Sequence, residues 1–162
     1  MNNQFIAVSM LTASMAMFSF SNAQAATTAP LEVSVSVSSA CTVEVAGVDF
    51  GSYDGMELTA AGDVTVTCND GVPYAIALDA GMNFDGTNRV MANDAGGALM
   101  YHLMYAGAAW GDTGITDSYP GDPVSGVGNG GPVSYAVDAL LPPDQATMPG
   151  MYSDTVTVTV AF

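Results

Sequence analysis

Lysine is absent from this 162-residue chain, and a single arginine, Arg89, stands against 16 acidic residues, for a formal net charge of −15. That balance excludes a nucleic-acid partner, because phosphate binding needs clustered Lys and Arg to release counterions. It equally excludes docking on an anionic membrane surface. Without lysine there is no phosphate-cradling Gly-Lys-[Ser/Thr] loop. Histidine occurs once, as His102, and cysteine twice, which leaves too few ligands for a zinc site if the cysteines are oxidised. Acidic turns such as Asp85-Gly86-Thr87-Asn88 lack the closely spaced carboxylates of a dedicated calcium loop. No Gly-x-Ser-x-Gly elbow marks a serine nucleophile. The expectation is therefore a protein that is not an enzyme and holds neither metal nor cofactor.

Charged residues are only 10% of the chain, whereas apolar residues make up 49%, with 18 Gly and 8 Pro. A disordered acidic tail would be poor in Val, Ile and aromatics, so this composition points to a folded, Gly-rich, all-β domain. The first 25 residues carry no charged side chain, run apolar apart from Ser and Thr from Phe5 to Phe20, and end in Ala23-Gln24-Ala25. This small-x-small pattern predicts a cleaved signal peptide over residues 1–25, although the usual basic residues are missing from its start. A transmembrane anchor is the weaker reading, because the apolar stretch is short and rich in Ser and Thr for a span of about 20 apolar residues. In an exported protein, Cys41 and Cys68 read as one disulfide, with no Cys-x-x-Cys to suggest a redox pair. Closing that loop is worth about 3.5 kcal/mol on the chain-entropy model.

Strand-like alternation recurs along the rest of the chain, and helical periodicity is nearly absent. Leu31, Val33, Val35 and Val37 alternate with Glu32, Ser34, Ser36 and Ser38. Strands are also expected over 63–68, 73–78, 98–105, 133–140 and 152–162, separated by Gly, Asn, Asp and Pro clusters. His102 falls on the strand face opposite Tyr101 and Leu103, which reads as a structural position. Trp110 reads as a core aromatic near a strand end. Strands at this spacing suggest a β-sandwich. The segment Leu31–Val37 and the last strand, with Val156, Val158, Val160 and Phe162 on one face, must each bury an apolar stripe, either within the domain or by adding to another subunit's sheet.

The ordered set of motifs resembles the spore coat protein U family, which includes the Csu-type pilins of archaic chaperone–usher pili. It comprises the amphipathic segment, Cys41-Thr42-Val43, Asp49-Phe50-Gly51-x-Tyr53, Val64 to Cys68, Gly71-x-x-Tyr74, Arg89-Val90-Met91, Leu99 to Tyr105, Trp110-Gly111-Asp112, and Gly150-x-Tyr152-x-Asp154 leading to Phe162. The resemblance implies an incomplete immunoglobulin-like β-sandwich completed by donor-strand exchange. On that reading residues 1–25 are the signal peptide, 26–38 the N-terminal donor-strand extension and 39–162 the pilin domain. Leu31, Val33, Val35 and Val37 would be the donor residues, Cys41–Cys68 the disulfide, and Val156, Val158, Val160 and Phe162 one wall of the acceptor groove. The implied partners are a periplasmic chaperone, an outer-membrane usher and neighbouring pilin subunits. The implied location is the cell surface, reached through the periplasm, with adhesion or biofilm formation as the role. With 162 − 25 = 137 mature residues, a shaft subunit is expected rather than a tip adhesin. The competing readings are a self-contained secreted sandwich that binds a small ligand or surface carbohydrate and, more remotely, an exported hydrolase centred on His102.

Overall fold

Alternating side chains, one row turned inward and one outward, build every long strand of this protein. In β2 (Leu58–Cys68), Val64, Val66 and Cys68 are buried while Thr65 and Thr67 lie on the other face. β5 (Ala98–Tyr105) buries Leu99, Tyr101 and Leu103, and β8 (Pro132–Leu141) buries Tyr135, Val137, Ala139 and Leu141. β-Branched and aromatic residues at every second position suit a pleated surface with one face covered.

The computed structural model describes residues 26–146 and 148–162. The expected signal peptide, residues 1–25, lies outside them. The described chain divides into two units, residues 26–36 and residues 37–162. In the first unit, the residues have no regular secondary structure, and Leu31, Val33 and Val35 are 88%, 88% and 89% exposed. Val37, at the start of the second unit, is exposed as well.

The second unit is all-β, with no helix among the described residues. Its larger sheet has the order β1-β2-β8-β5-β4, where β1 is Cys41–Ala46 and β4 is Arg89–Ala92, and a short β6 (Ala108–Ala109) pairs with β5. The smaller sheet has the order β7-β3-β9, with β3 at Pro73–Leu78, β7 at Val124–Val127 and β9 at Val158–Ala161. All ladders are antiparallel. The core lies between the sheets, where Ile76 and Leu78 of β3 meet Val64, Leu103, Val137 and Leu141 of the larger sheet. Trp110 is fully buried there and donates its indole N–H to the Ile76 carbonyl at 2.8 Å.

Three sequence expectations are modified. Among the Gly-, Asn-, Asp- and Pro-rich stretches between the expected strands, Val124–Val127 forms a further strand, β7. The alternating segment Leu31–Ser38 joins no ladder. The run from Tyr152 to Phe162 is not one continuous strand, because only Val158–Ala161 pairs with β3 in a ladder. Upstream of it Ser153 bridges to Ala92 at the end of β4. Between those two attachments the Asp79 carboxylate accepts the Thr157 N–H at 2.8 Å, and Asp79 N–H donates to the Thr157 carbonyl at 3.1 Å. The C-terminal segment thus starts against one sheet and finishes in the other.

Candidate functional site

Two strand edges and a cleft between them form the most distinctive surface of the second unit. β1 ends the larger sheet and β9 ends the smaller one, so among the described residues neither has a second neighbour. The disulfide Cys41–Cys68 fixes the start of β1 against the end of β2, where the two cysteines are directly paired with their Cα atoms 4.1 Å apart. The rest of β1 is left half open, with Val43 40% and Val45 56% exposed. Such apolar residues at an unpaired edge are unusual in a self-contained sandwich, which protects its edges with charge, proline or a covering loop.

The cleft has a volume of about 370 Å³. Val45 and Val48 bound it on the β1 side, Val156 and Val158 on the C-terminal side, and Val64, Leu78, Leu103 and Val137 form its floor. A second recess of about 530 Å³ adjoins it, sharing Val48, Phe50, Met91 and Tyr152 and reaching Tyr53, Leu99 and Leu141. The floor is thus the hydrophobic core itself, reached from outside along one line. Of the four residues expected to wall an acceptor groove, Val156 and Val158 line the cleft. Val160 lies half-buried beside Ile76, and Phe162, 60% exposed at the chain end, lies outside the cleft.

Hydrogen bonds tie together the polar groups around the cleft. Tyr101 donates its hydroxyl to Asp154 at 2.6 Å, and the other carboxylate oxygen of Asp154 accepts both the backbone and side-chain N–H of Asn83 at 3.1 Å. Gly81 makes this approach feasible: its φ is +82°, and any Cβ there would collide with the Asp154 carboxylate. At the opposite end of the core, Tyr53 donates to the Pro142 carbonyl at 3.1 Å and accepts from Gln145 N–H at 3.0 Å.

Arg89 is the lone arginine or lysine of the sequence and part of the Arg89-Val90-Met91 motif, but its role emerges only in three dimensions. The side chain is fully buried, and its guanidinium donates to the carbonyls of Asp79, Trp110 and Leu78 at 2.8, 2.9 and 2.6 Å. It also stacks 3.9 Å from the Tyr119 ring centroid. Burial lowers its pKa, opposed by the nearby tyrosines and by Asp79 and Asp112. A planar fork with five donors meets three convergent carbonyls in a way a lysine could not. Arg89 is therefore a clamp that joins β4 to the end of β3 and to the Trp110 strand end, and it does not enter the cleft. Asp112 plays a similar part in the adjoining loop. It is buried and accepts from Thr116 and Ser118 hydroxyls and from the N–H groups of Ser118 and Tyr119, the last at 2.7 Å. Burial alone would raise its pKa, but these hydrogen bonds outweigh that and lower it.

His102 lies half-buried on β5 between buried Tyr101 and Leu103. Among the described residues no three His, Cys, Asp or Glu side chains come together as a metal site, and no helix is long and apolar enough to cross a membrane.

A Spore Coat Protein U domain matches residues 27–159. This chain belongs to the Spore Coat Protein U domain family. Protein U of Myxococcus xanthus is 32% identical over 185 residues, an alignment that covers 100% of both chains. The fold of this Spore Coat Protein U chain is similar to a chain in the crystal structure of the CsuC–CsuE chaperone–tip adhesion subunit pre-assembly complex from archaic chaperone–usher Csu pili of Acinetobacter baumannii. That match has a TM-score of 0.59 at 22% identity and covers 78% of this chain, which spans 40% of the length of its counterpart. It places the second unit among immunoglobulin-like β-sandwiches. The resemblance read from the ordered motifs and the all-β, immunoglobulin-like fold expected from it are thereby borne out, as is the Cys41–Cys68 disulfide.

Proposed function

We propose that this chain is an exported structural subunit of a chaperone–usher surface fibre, and that it polymerises by donor-strand complementation. The observation that carries the reading is the cleft bounded by two unpaired strand edges, β1 and the C-terminal segment, with the core as its floor. One added strand would pair with both edges and lay alternate side chains into the cleft. Main-chain hydrogen bonds would supply affinity and the inward side chains specificity.

The chain contains a segment of the required chemistry. Leu31 to Val37 presents four apolar side chains at every second position, all exposed. Fully extended at about 3.3 Å per residue, it is about 20 Å long. The neighbouring subunit's Leu31, Val33, Val35 and Val37 would enter the cleft, and Glu32, Ser34 and Ser36 would face water. The signal peptide expected over residues 1–25 would deliver the chain to the periplasm, where a chaperone would cover the cleft before polymerisation and from which an outer-membrane usher would pass the subunit to the surface. Membership of the Spore Coat Protein U family and the fold shared with a chaperone–subunit complex of archaic pili support this assignment. The fibre would serve attachment of cells to surfaces or to one another.

The test is a pair of substitutions one residue apart. Burying a carboxylate in an apolar cleft costs several kcal/mol without a partner, so Val35→Asp should abolish incorporation into detergent-resistant polymers sheared from the surface. Ser34→Asp should be tolerated at about 0.15 M salt. If both variants polymerise like the wild type, Leu31–Val37 is not the donor. If both fail, total charge or export accounts for the loss.

A further inference from the structure

The chain's one arginine lies inside, whereas all but one of its carboxylates are exposed or half-buried. Its single cationic side chain apart from His102, Arg89, is fully buried and occupied by three carbonyls and the Tyr119 ring. Of the 16 acidic side chains only Asp112 is buried; Asp63, Asp79 and Asp154 are half-buried and the others are exposed. The solvent-facing surface therefore carries carboxylates and no lysine or arginine to meet them.

The distribution bears directly on the cleft, on the reading that it accepts a strand from another copy. Glu44 is exposed on β1 between Val43 and Val45, Asp154 lies in the cleft wall, and Asp49 lines the adjoining recess. The segment that would enter brings Glu32, set between Leu31 and Val33. Its alternation turns Glu32 toward the rim rather than the floor. Both sides of the encounter are thus negative, on top of a net charge of −15 per copy. Like charges brought together across an interface slow association and are relieved by salt. The screening length is about 30 Å at 10 mM salt and about 8 Å at 0.15 M. The first exceeds the length of the inserting segment; the second leaves only near neighbours in contact.

We infer that addition of one copy to the next is gated by ionic strength, with Glu32 as the residue that holds the gate. Exposed carboxylates keep subunits apart in dilute medium, and a saline medium lets the apolar side chains of the segment reach the cleft. The partner of the cleft is then a second copy of this chain whose approach is limited by its own charge.

The experiment follows formation of the detergent-resistant polymer ladder by the full mature chain at about 10 mM and about 0.15 M NaCl at neutral pH. Wild type should assemble roughly tenfold or more faster at the higher salt. Glu32→Lys, which replaces repulsion at the rim by attraction, should assemble readily at low salt and lose most of that dependence. A Val35→Asp control should be silent at both salt levels. Equal wild-type rates at both concentrations, with the control silent, would overturn the gate and leave the donor-strand reading standing. A Glu32→Lys chain with the full wild-type salt response would show that Glu32 does not hold the gate, and would also overturn it. If Val35→Asp assembles like wild type, the donor-strand reading itself falls and takes the gate with it.

Discussion

The Tyr101 hydroxyl donates a 2.6 Å hydrogen bond to the Asp154 carboxylate, joining the middle of β5 to the segment that leads into β9. Both residues line the cleft, so this bond sets the separation between its floor and its C-terminal wall. Burial first, and then the bond to an anion, push the Tyr101 hydroxyl far above the ordinary phenol range. Tyr135 is pushed up as well, by burial and by its hydroxyl contact with Tyr74 at 2.7 Å.

The sign of the resulting pH dependence follows from linkage. Folded Tyr101 keeps its proton after an unfolded tyrosine, with a pKa near 10.0, has lost it. Stability from this group is fully present below about pH 10 and falls as pH rises beyond it. Alkaline titration followed by circular dichroism should show a loss of the fold that begins there. Tyr101→Phe should cost about 1–2 kcal/mol at neutral pH, from the lost charge-assisted bond, and should flatten the alkaline limb. An unchanged alkaline limb in Tyr101→Phe would mean the titration lies elsewhere.

Arg89 should be among the least replaceable residues in the chain. Arg89→Met leaves three buried carbonyls without donors, at about 1–3 kcal/mol for each unsatisfied group. Arg89→Lys offers a point charge in place of a fork and should rescue little. Both variants should show urea midpoints well below wild type. A lysine variant of wild-type stability would show that charge, and not the three-way geometry, is what the site needs.

The disulfide is expected to hold β1 in place at the rim of the cleft. Replacing both cysteines, Cys41→Ser with Cys68→Ser, should lower stability by about 3 kcal/mol. Hydrogen exchange along 41–46 should rise more than along β8, because β1 has only β2 as a neighbour. Uniform loosening of all strands would argue that the bond acts only on the unfolded chain.

Much of this architecture was legible in the residue pattern, and the exceptions have physical reasons. β3 and β5 coincide with the strands expected over 73–78 and 98–105 because each has partners along its whole length. Leu31–Ser38 alternates as cleanly and joins no ladder, since alternation reports amphipathicity and not the presence of an edge to pair with. The run from Tyr152 onward reads as one strand, but its backbone divides between Ala92 of β4 and the β3 edge, a choice made by long-range contacts at Asp79 and Asp154. The spacing of Val156 and Val158 put them on one apolar face, and the family resemblance implied that this face walls a groove; both line the cleft. Met91, which lines both recesses, was not legible in this way, because it comes from β4, a segment distant in sequence from the C-terminal run. The scarcity of cations was the available signal for Arg89: a chain with one arginine beside 16 acids that forms no surface pair with any of them has placed it inside for its donors.

The account turns on whether a strand of this chain's own chemistry fills the cleft between β1 and the C-terminal segment. Amide hydrogen exchange tests this most directly, using the mature chain with Val35→Asp in its own extension so that it cannot polymerise, and a peptide spanning residues 29–39 added in trans. The account predicts that the wild-type peptide slows exchange by about tenfold or more along both 41–48 and 152–160, the two edges a new strand would pair with. It predicts no change with a peptide carrying Val35→Asp. Equal protection by both peptides, or none by either, would contradict it.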